Sequence, residues 1–244
     1  MRLARLAIVF ALMFCAAPAF AAGFEDWGAV VVAGDWRARD GEASPVFDDA
    51  RHDLVADLQQ IGFRPENIVQ FSAQADRFGD QGLRASDPRA VSAALWNVSD
   101  RAHSGCFLYI TSHGSPDGVR VGPNVVSPVD LAIMVNNACH ANPAVVIVSA
   151  CFSGVFVPAL SAPNRLVITA ARQDRTSFGC SATEKYTYFD DCVLTAFRGA
   201  HDFPDLASAA QACVARKEKD TGMSPPSEPQ VSLGTDIAAN LPRW

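Results

Sequence analysis

Phe107-Leu108-Tyr109-Ile110-Thr111-Ser112-His113-Gly114 is an apolar run that ends in a histidine. Ala144-Val145-Val146-Ile147-Val148-Ser149-Ala150-Cys151-Phe152-Ser153-Gly154 repeats the pattern and ends in a cysteine. Short continuous apolar runs, rich in β-branched and aromatic residues and closed by small ones, predict strands buried on both faces. Between them, Ser127-Pro128 starts a helical pattern that carries Leu131, Met134 and Val135 and ends near Ala141. Two parallel strands joined by one crossover helix are expected to be neighbours. Ligands bind beyond the carboxyl ends of such strands, and His113 and Cys151 both occupy that position.

Working outward, Gly28 to Gly34 predicts another buried strand. Leu54, Val55, Leu58 and Ile61 lie at helical spacing, and Gly62 stops the helix that begins at Phe47. Asn67 to Phe71 predicts a second strand, and residues 72–86 an irregular surface loop. Asp87-Pro88 starts a helix that carries Val91, Leu95 and Val98 to about His103. After His113, Ser115-Pro116-Asp117-Gly118 is turn chemistry, followed by a small hairpin over Val119–Gly122 and Asn124–Val126. Downstream come a strand at Arg165–Thr169, a polar loop over 172–185, helices over 186–199 and 205–220, and an edge strand at Gln230–Leu233. Strands alternating with helices predict an α/β fold: a mainly parallel sheet of about six strands with helices on both faces. No internal repeat is present, and residues 22–244 are expected to form a single domain.

The chain has 244 residues, 49% apolar and 19% charged, with a formal charge of −6. That composition supports a packed core, and its acidic balance excludes a nucleic-acid partner. Arg2 and Arg5, the apolar stretch Leu6 to Phe14 and the small-x-small Ala19-Phe20-Ala21 predict a secretory signal peptide over residues 1–21. The product is therefore expected to be exported, periplasmic or secreted, with no membrane anchor after cleavage. Cleavage removes two arginines and no acid, so −6 becomes −8. Six cysteines remain: Cys106, Cys139, Cys151, Cys180, Cys192 and Cys213. Export permits disulfides. A thiol kept free at Cys151 leaves five, hence two bridges at most, with Cys180, Cys192 and Cys213 the expected members and Cys106 a buried small hydrophobe. The spacing of His103, Cys139, His140 and Cys151 fits no usual zinc pattern, so no metal is expected.

A thiolate is a nucleophile when a neighbouring histidine takes its proton and later returns it to a leaving amine. A helix opening at Cys151 would favour the anion through its dipole. Ala150 and Gly154 would leave room for a peptide. The amides of Gly114 and Cys151 are candidates for an oxyanion hole. No Gly-x-Ser-x-Gly elbow is present, which removes a serine hydrolase of that type.

An apolar strand ending in His-Gly followed by one ending in Ala-Cys resembles the caspase-like cysteine peptidases. Ala150-Cys151-Phe152-Ser153-Gly154, Ile168-Thr169-Ala170-Ala171, Ser177-Phe178-Gly179-Cys180 and Tyr188-Phe189 narrow the resemblance to the legumain, or asparaginyl endopeptidase, family and its short bacterial members. It extends over about residues 26–235, from Val30-Val31-Val32-Ala33-Gly34 to Gln230-Val231-Ser232-Leu233-Gly234. It implies a caspase-like three-layer sandwich, a catalytic dyad of His113 and Cys151, and peptide hydrolysis after Asn or Asp through an acyl-enzyme thioester, with no cofactor. It implies a substrate pocket at Ser149, Ala170 and Ala171, and a histidine-orienting role for Asp35, where the family has an Asn. Ser149 departs from the family's acidic residue, and Pro45-Val46-Phe47-Asp48 offers no match to its pocket arginine. The partner implied is a peptide or protein substrate. A transpeptidase or ligase on the same dyad, and a non-catalytic module that kept the fold, are the alternatives.

Overall fold

The computed structural model describes residues 23–79 and 82–244. The expected signal peptide lies outside the described residues. In chain order the elements are β1 (Trp27–Ala33), α1 (Val46–Gln60), β2 (Ile68–Ser72), α2 (Ala75–Phe78), β3 (Leu83–Ala85), α3 (Pro88–Arg101), β4 (Gly105–Thr111) and β5 (Gly114–Ser115). They continue with β6 (Gly118–Val121), β7 (Asn124–Val126), α4 (Pro128–Cys139), β8 (Ala144–Ser149), α5 (Val157–Leu160), β9 (Arg165–Thr169), α6 (Tyr188–Phe197), α7 (Phe203–Thr221) and β10 (Gln230–Leu233).

Every residue of β1, β4, β8 and β9 is buried, which is why these segments read as unbroken apolar runs. Side chains alternate across a strand. On β4, Phe107 and Tyr109 face one core with α1, α6 and α7, and Leu108 and Ile110 face the other with α3, α4 and α5. Each Val or Ile so buried contributes roughly 1.5–3 kcal/mol. The result is a three-layer sandwich whose seven-stranded sheet runs β10-β9-β8-β4-β1-β2-β3. All pairings are parallel except β10 with β9. The strand beyond the expected six is β3, inside the segment read as loop. Leu83-Arg84-Ala85 is too short to show a period, and its pairing with Gln70 to Ser72 makes it a strand.

Helix starts follow their caps. Asp87 accepts the amides of Arg89 and Ala90, Ser127 that of Asp130, and Thr187 that of Asp190; each such cap contributes about 1 kcal/mol. Two disulfides pin helices: Cys106 on β4 to Cys139 on α4, and Cys192 on α6 to Cys213 on α7. They close loops of 33 and 21 residues, worth roughly 3–4 kcal/mol each in the chain-entropy picture. Cys106 is therefore bridged rather than a lone hydrophobe, and Cys180 is a free thiol rather than a bridge member. The β4 face that carries Cys106 looks onto α4, a pairing that only the tertiary fold creates.

Candidate active site

β4 and β8 are neighbours in register, with Thr111 opposite Ser149. His113 and Cys151, each two residues further on, therefore leave the sheet level with one another. The Ser112 amide donates to the Ser149 carbonyl at 3.0 Å and carries the alignment past the strand ends. Gly114 lies against the next turn: a methyl added there would stand 2.2 Å from the Cys151 carbonyl oxygen. Backbone approaching that closely admits only glycine.

His113 is fixed on two sides. Its ring meets Phe47 edge-on, with centroids 5.3 Å apart. Its Nε2 lies 2.8 Å from the Arg37 carbonyl oxygen. A carbonyl can only accept, so Nε2 carries the proton and Nδ1 keeps the lone pair of a base. Asp35 does not touch His113, contrary to the role read for it. Its buried carboxylate accepts from the amides of Trp36 and Arg37 and from the Arg37 guanidinium, and pairs with Arg120 at 3.3 Å. It shapes the turn that presents the Arg37 carbonyl, so it acts on the histidine at one remove.

Cys151 is held more loosely. The Ser177 amide donates to Sγ at 3.4 Å, and the Ser177 carbonyl and hydroxyl both lie 3.7 Å away. No helix opens at Cys151. Phe152 takes a left-handed conformation at φ 59°, and the one-turn 3-10 segment Ser153–Phe156 and the four-residue α5 follow. The expected dipole is thus absent, because segments this short align few peptide units. Gly154 does not make room for a peptide either. A methyl there would sit 2.4 Å from the Gln173 amide nitrogen, and the Ser153 hydroxyl accepts the Ala171 amide at 3.1 Å. The Ser-Gly pair clamps the chain leaving β9 against the cysteine turn, and the Phe152 amide reinforces it by donating to the Arg175 carbonyl at 2.8 Å.

A cavity of about 450 Å³ opens between the two strand ends. His113, Gly114, Cys151, Ser177, Phe178 and Cys180 line it, and so do Arg39, Glu184 and Tyr188. Ser149, Ala170 and Ala171, read as pocket residues, do not line it. Ala170 and Ala171 are buried, and the Ser149 hydroxyl is bonded to Asp190. The strand alternation that brings Thr111 and Ser149 side by side also turns both toward α6.

Asp190 was not foreseen. It is wholly buried under the ends of β4 and β8, where it accepts hydrogen bonds from Tyr109, from Thr111 at 2.6 Å and from Ser149. Burial pushes its carboxyl up, and the hydroxyl donors oppose that rise. The side chain joins three secondary-structure elements beneath the dyad. Its only trace in the sequence is the Thr187 cap that starts α6.

The three-layer sandwich with its mainly parallel sheet is a caspase-like α/β fold. Caspase-1 from Spodoptera frugiperda superposes with a TM-score of 0.63 over 95% of this chain and 94% of that one, at 14% identity, a likeness of fold alone. The sequence profile of the peptidase C13 family matches residues 85–216, more than half of the chain. The protein belongs to that family, the legumain family, and is a cysteine-type endopeptidase, a hydrolase acting on peptide or protein substrates. No protein of curated function matches the sequence.

Proposed function

We propose an exported endopeptidase in which Cys151 is the nucleophile and His113 its base. The observation that carries this reading is the Nε2–Arg37 hydrogen bond. It holds the imidazole in the tautomer whose Nδ1 is free to accept the thiol proton, in the same cavity as a free cysteine. Cys151 attacks the substrate carbonyl, the amides of Gly114 and Cys151 stabilise the oxyanion, and His113 passes the proton to the departing amine. Water then resolves the thioester. In this cavity the charged side chains able to read an amide or a carboxylate on the substrate are Arg39 and Glu184, not Ser149.

Cys151→Ala is expected to abolish hydrolysis of a peptide library and labelling by a thiol-directed probe, and His113→Ala to lower turnover by about 1000-fold or more. Turnover by Cys151→Ala would sink the proposal, and the library itself reports the residue preferred before the cut. Export is supported by the two disulfides, which persist in oxidising compartments. Recovery of the protein in the cytoplasm alone, with residues 1–21 still attached, would contradict it.

A further inference from the structure

Six cysteines fall among the described residues, and four of them are bridged. The two that remain thiols, Cys151 and Cys180, share one cavity. The Cys180 Sγ lies 3.7 Å from His113 Nε2 and 3.9 Å from the Arg37 carbonyl. Ser177, three residues before Cys180 on the same loop, rests its backbone on the Cys151 sulfur. The Cys180 thiol is pushed up to about 12, first by burial and then by the neighbouring Cys151 charge, so the two sulfurs lie within electrostatic reach. At neutral pH Cys180 is almost wholly protonated, so Cys151 reacts with an oxidant first; once Cys151 is capped its charge no longer opposes ionisation of Cys180, and the small thiolate fraction held beside it reacts second. Gly179 precedes it at φ 87°, a conformation that glycine adopts without strain and that allows the loop to turn. The proposed hydrolysis makes no use of Cys180.

We propose that Cys180 is a resolving thiol, and that it forms a reversible disulfide with Cys151 when the enzyme meets a small-molecule disulfide such as oxidised glutathione. The inference rests on Cys151 being the nucleophile. In the first step the Cys151 thiolate attacks one sulfur of the oxidant, the oxidant's S–S bond breaks, and one thiolate leaves. In the second step the Cys180 sulfur displaces the remaining half from Cys151, and the Cys180 proton goes to the thiol that departs. Two protein thiols are oxidised and one disulfide is reduced to two thiols, so atoms and electrons balance. The linked pair has no thiolate for peptide attack and ties the Ser177–Cys180 loop over the cavity. An enzyme exported into an oxidising space would be silent there until a thiol reductant reached it.

The test treats the full protein with oxidised glutathione, blocks residual thiols with N-ethylmaleimide and maps the cysteines by mass spectrometry. The expected result is a Cys151–Cys180 linked peptide pair, no glutathione retained, and peptide hydrolysis lost until dithiothreitol is added. Under the same treatment Cys180→Ser is expected to retain one glutathione on Cys151. Glutathione retained on Cys151 in the wild-type chain, or Cys180 fully blocked by N-ethylmaleimide, overturns the proposal. The linkage is read by mass and the catalytic role by turnover of Cys151→Ala. An unlinked pair in a protein silenced by Cys151→Ala refutes the disulfide alone, whereas continued turnover by Cys151→Ala refutes the catalytic reading.

Discussion

Asp35 and Asp190 are both buried carboxylates at the carboxyl end of the sheet, and the fold accommodates them in opposite ways. Asp35 is 3% exposed and faces two guanidinium groups, Arg37 and Arg120, with backbone amides completing its shell. Asp190 is 0% exposed and faces hydroxyls, those of Tyr109, Thr111, Ser149 and Thr187. A buried carboxylate needs opposite charge or enough donors to offset lost hydration. Above the sheet, where the 35–37 turn is open to solvent on one side, charge is available. Below it, between β4, β8 and α6, the neighbours that reach the carboxylate are hydroxyl side chains. The difference separates two tasks: Asp35 shapes the turn that orients the histidine, and Asp190 ties together the strand ends on which both catalytic candidates stand.

The largest effect should come from breaking the lower anchor. Asp190→Ala takes the acceptor from the buried hydroxyls of Tyr109, Thr111 and Ser149 among others, and at about 1–3 kcal/mol for each orphaned group the loss is roughly 3 kcal/mol or more of stability. Urea unfolding measures it, with Asp190→Asn, which keeps the volume and one acceptor, losing less. If Asp190→Ala unfolds at the wild-type midpoint yet loses activity, the division of tasks is wrong and Asp190 belongs to the catalytic apparatus.

Breaking the upper anchor should move activity instead. Asp35→Ala frees the turn that carries the Arg37 carbonyl, so the imidazole loses its fixed tautomer. General-base catalysis is worth about 100- to 10,000-fold, and loss of orientation should remove roughly tenfold to a hundredfold from kcat. KM should change little, because Asp35 does not line the cavity that holds Cys151. The acidic limb of the pH–rate profile should shift, a readout that a purely structural role would not move. Asp35→Asn, which keeps the amide contacts and loses the ion pairs, is expected to fall between Ala and wild type.

The two anchors also show what a sequence can disclose. The positions of His113 and Cys151 were legible because each terminates a run whose apolarity alone predicts a buried parallel strand, and ligands gather at such ends. The Arg37 carbonyl was not, since a backbone acceptor is carried by every residue type. Asp190 was hidden because the first turn of a helix is where an acid is ordinarily found for capping and dipole reasons, so its burial leaves no mark. Ser149 misled for a related cause: its position beside Cys151 was legible, whereas the direction of its hydroxyl depends on a partner more than forty residues away. The neighbours of Cys180, His113 and the Arg37 carbonyl, follow two other strands, and only the tertiary fold brings them to it, so its free state leaves no mark in the sequence.

A third carboxylate sharpens the comparison at its weak end. Asp57 on α1 is partly buried, and burial pushes its carboxyl up to about 6, with Arg198 lowering it only from a distance and Asp53 adding to the rise. It has neither the guanidinium pairs of Asp35 nor the hydroxyl shell of Asp190. A folded-state value above the unfolded one means that the folded chain holds the proton more tightly. The stability this contributes is complete below about pH 4, the unfolded carboxylate value, and is lost as pH rises through about 6. Above that window the ionised Asp57 is a net burden, which partial exposure reduces to roughly 1 kcal/mol or less. Asp57→Asn should therefore raise the melting temperature at pH 7.5 by a few degrees and lose that advantage near pH 4. Melting curves of both proteins across that range check the sign. A variant less stable than wild type at pH 7.5 would mean that Arg198 compensates Asp57 after all, and that partial burial with one distant cation already suffices.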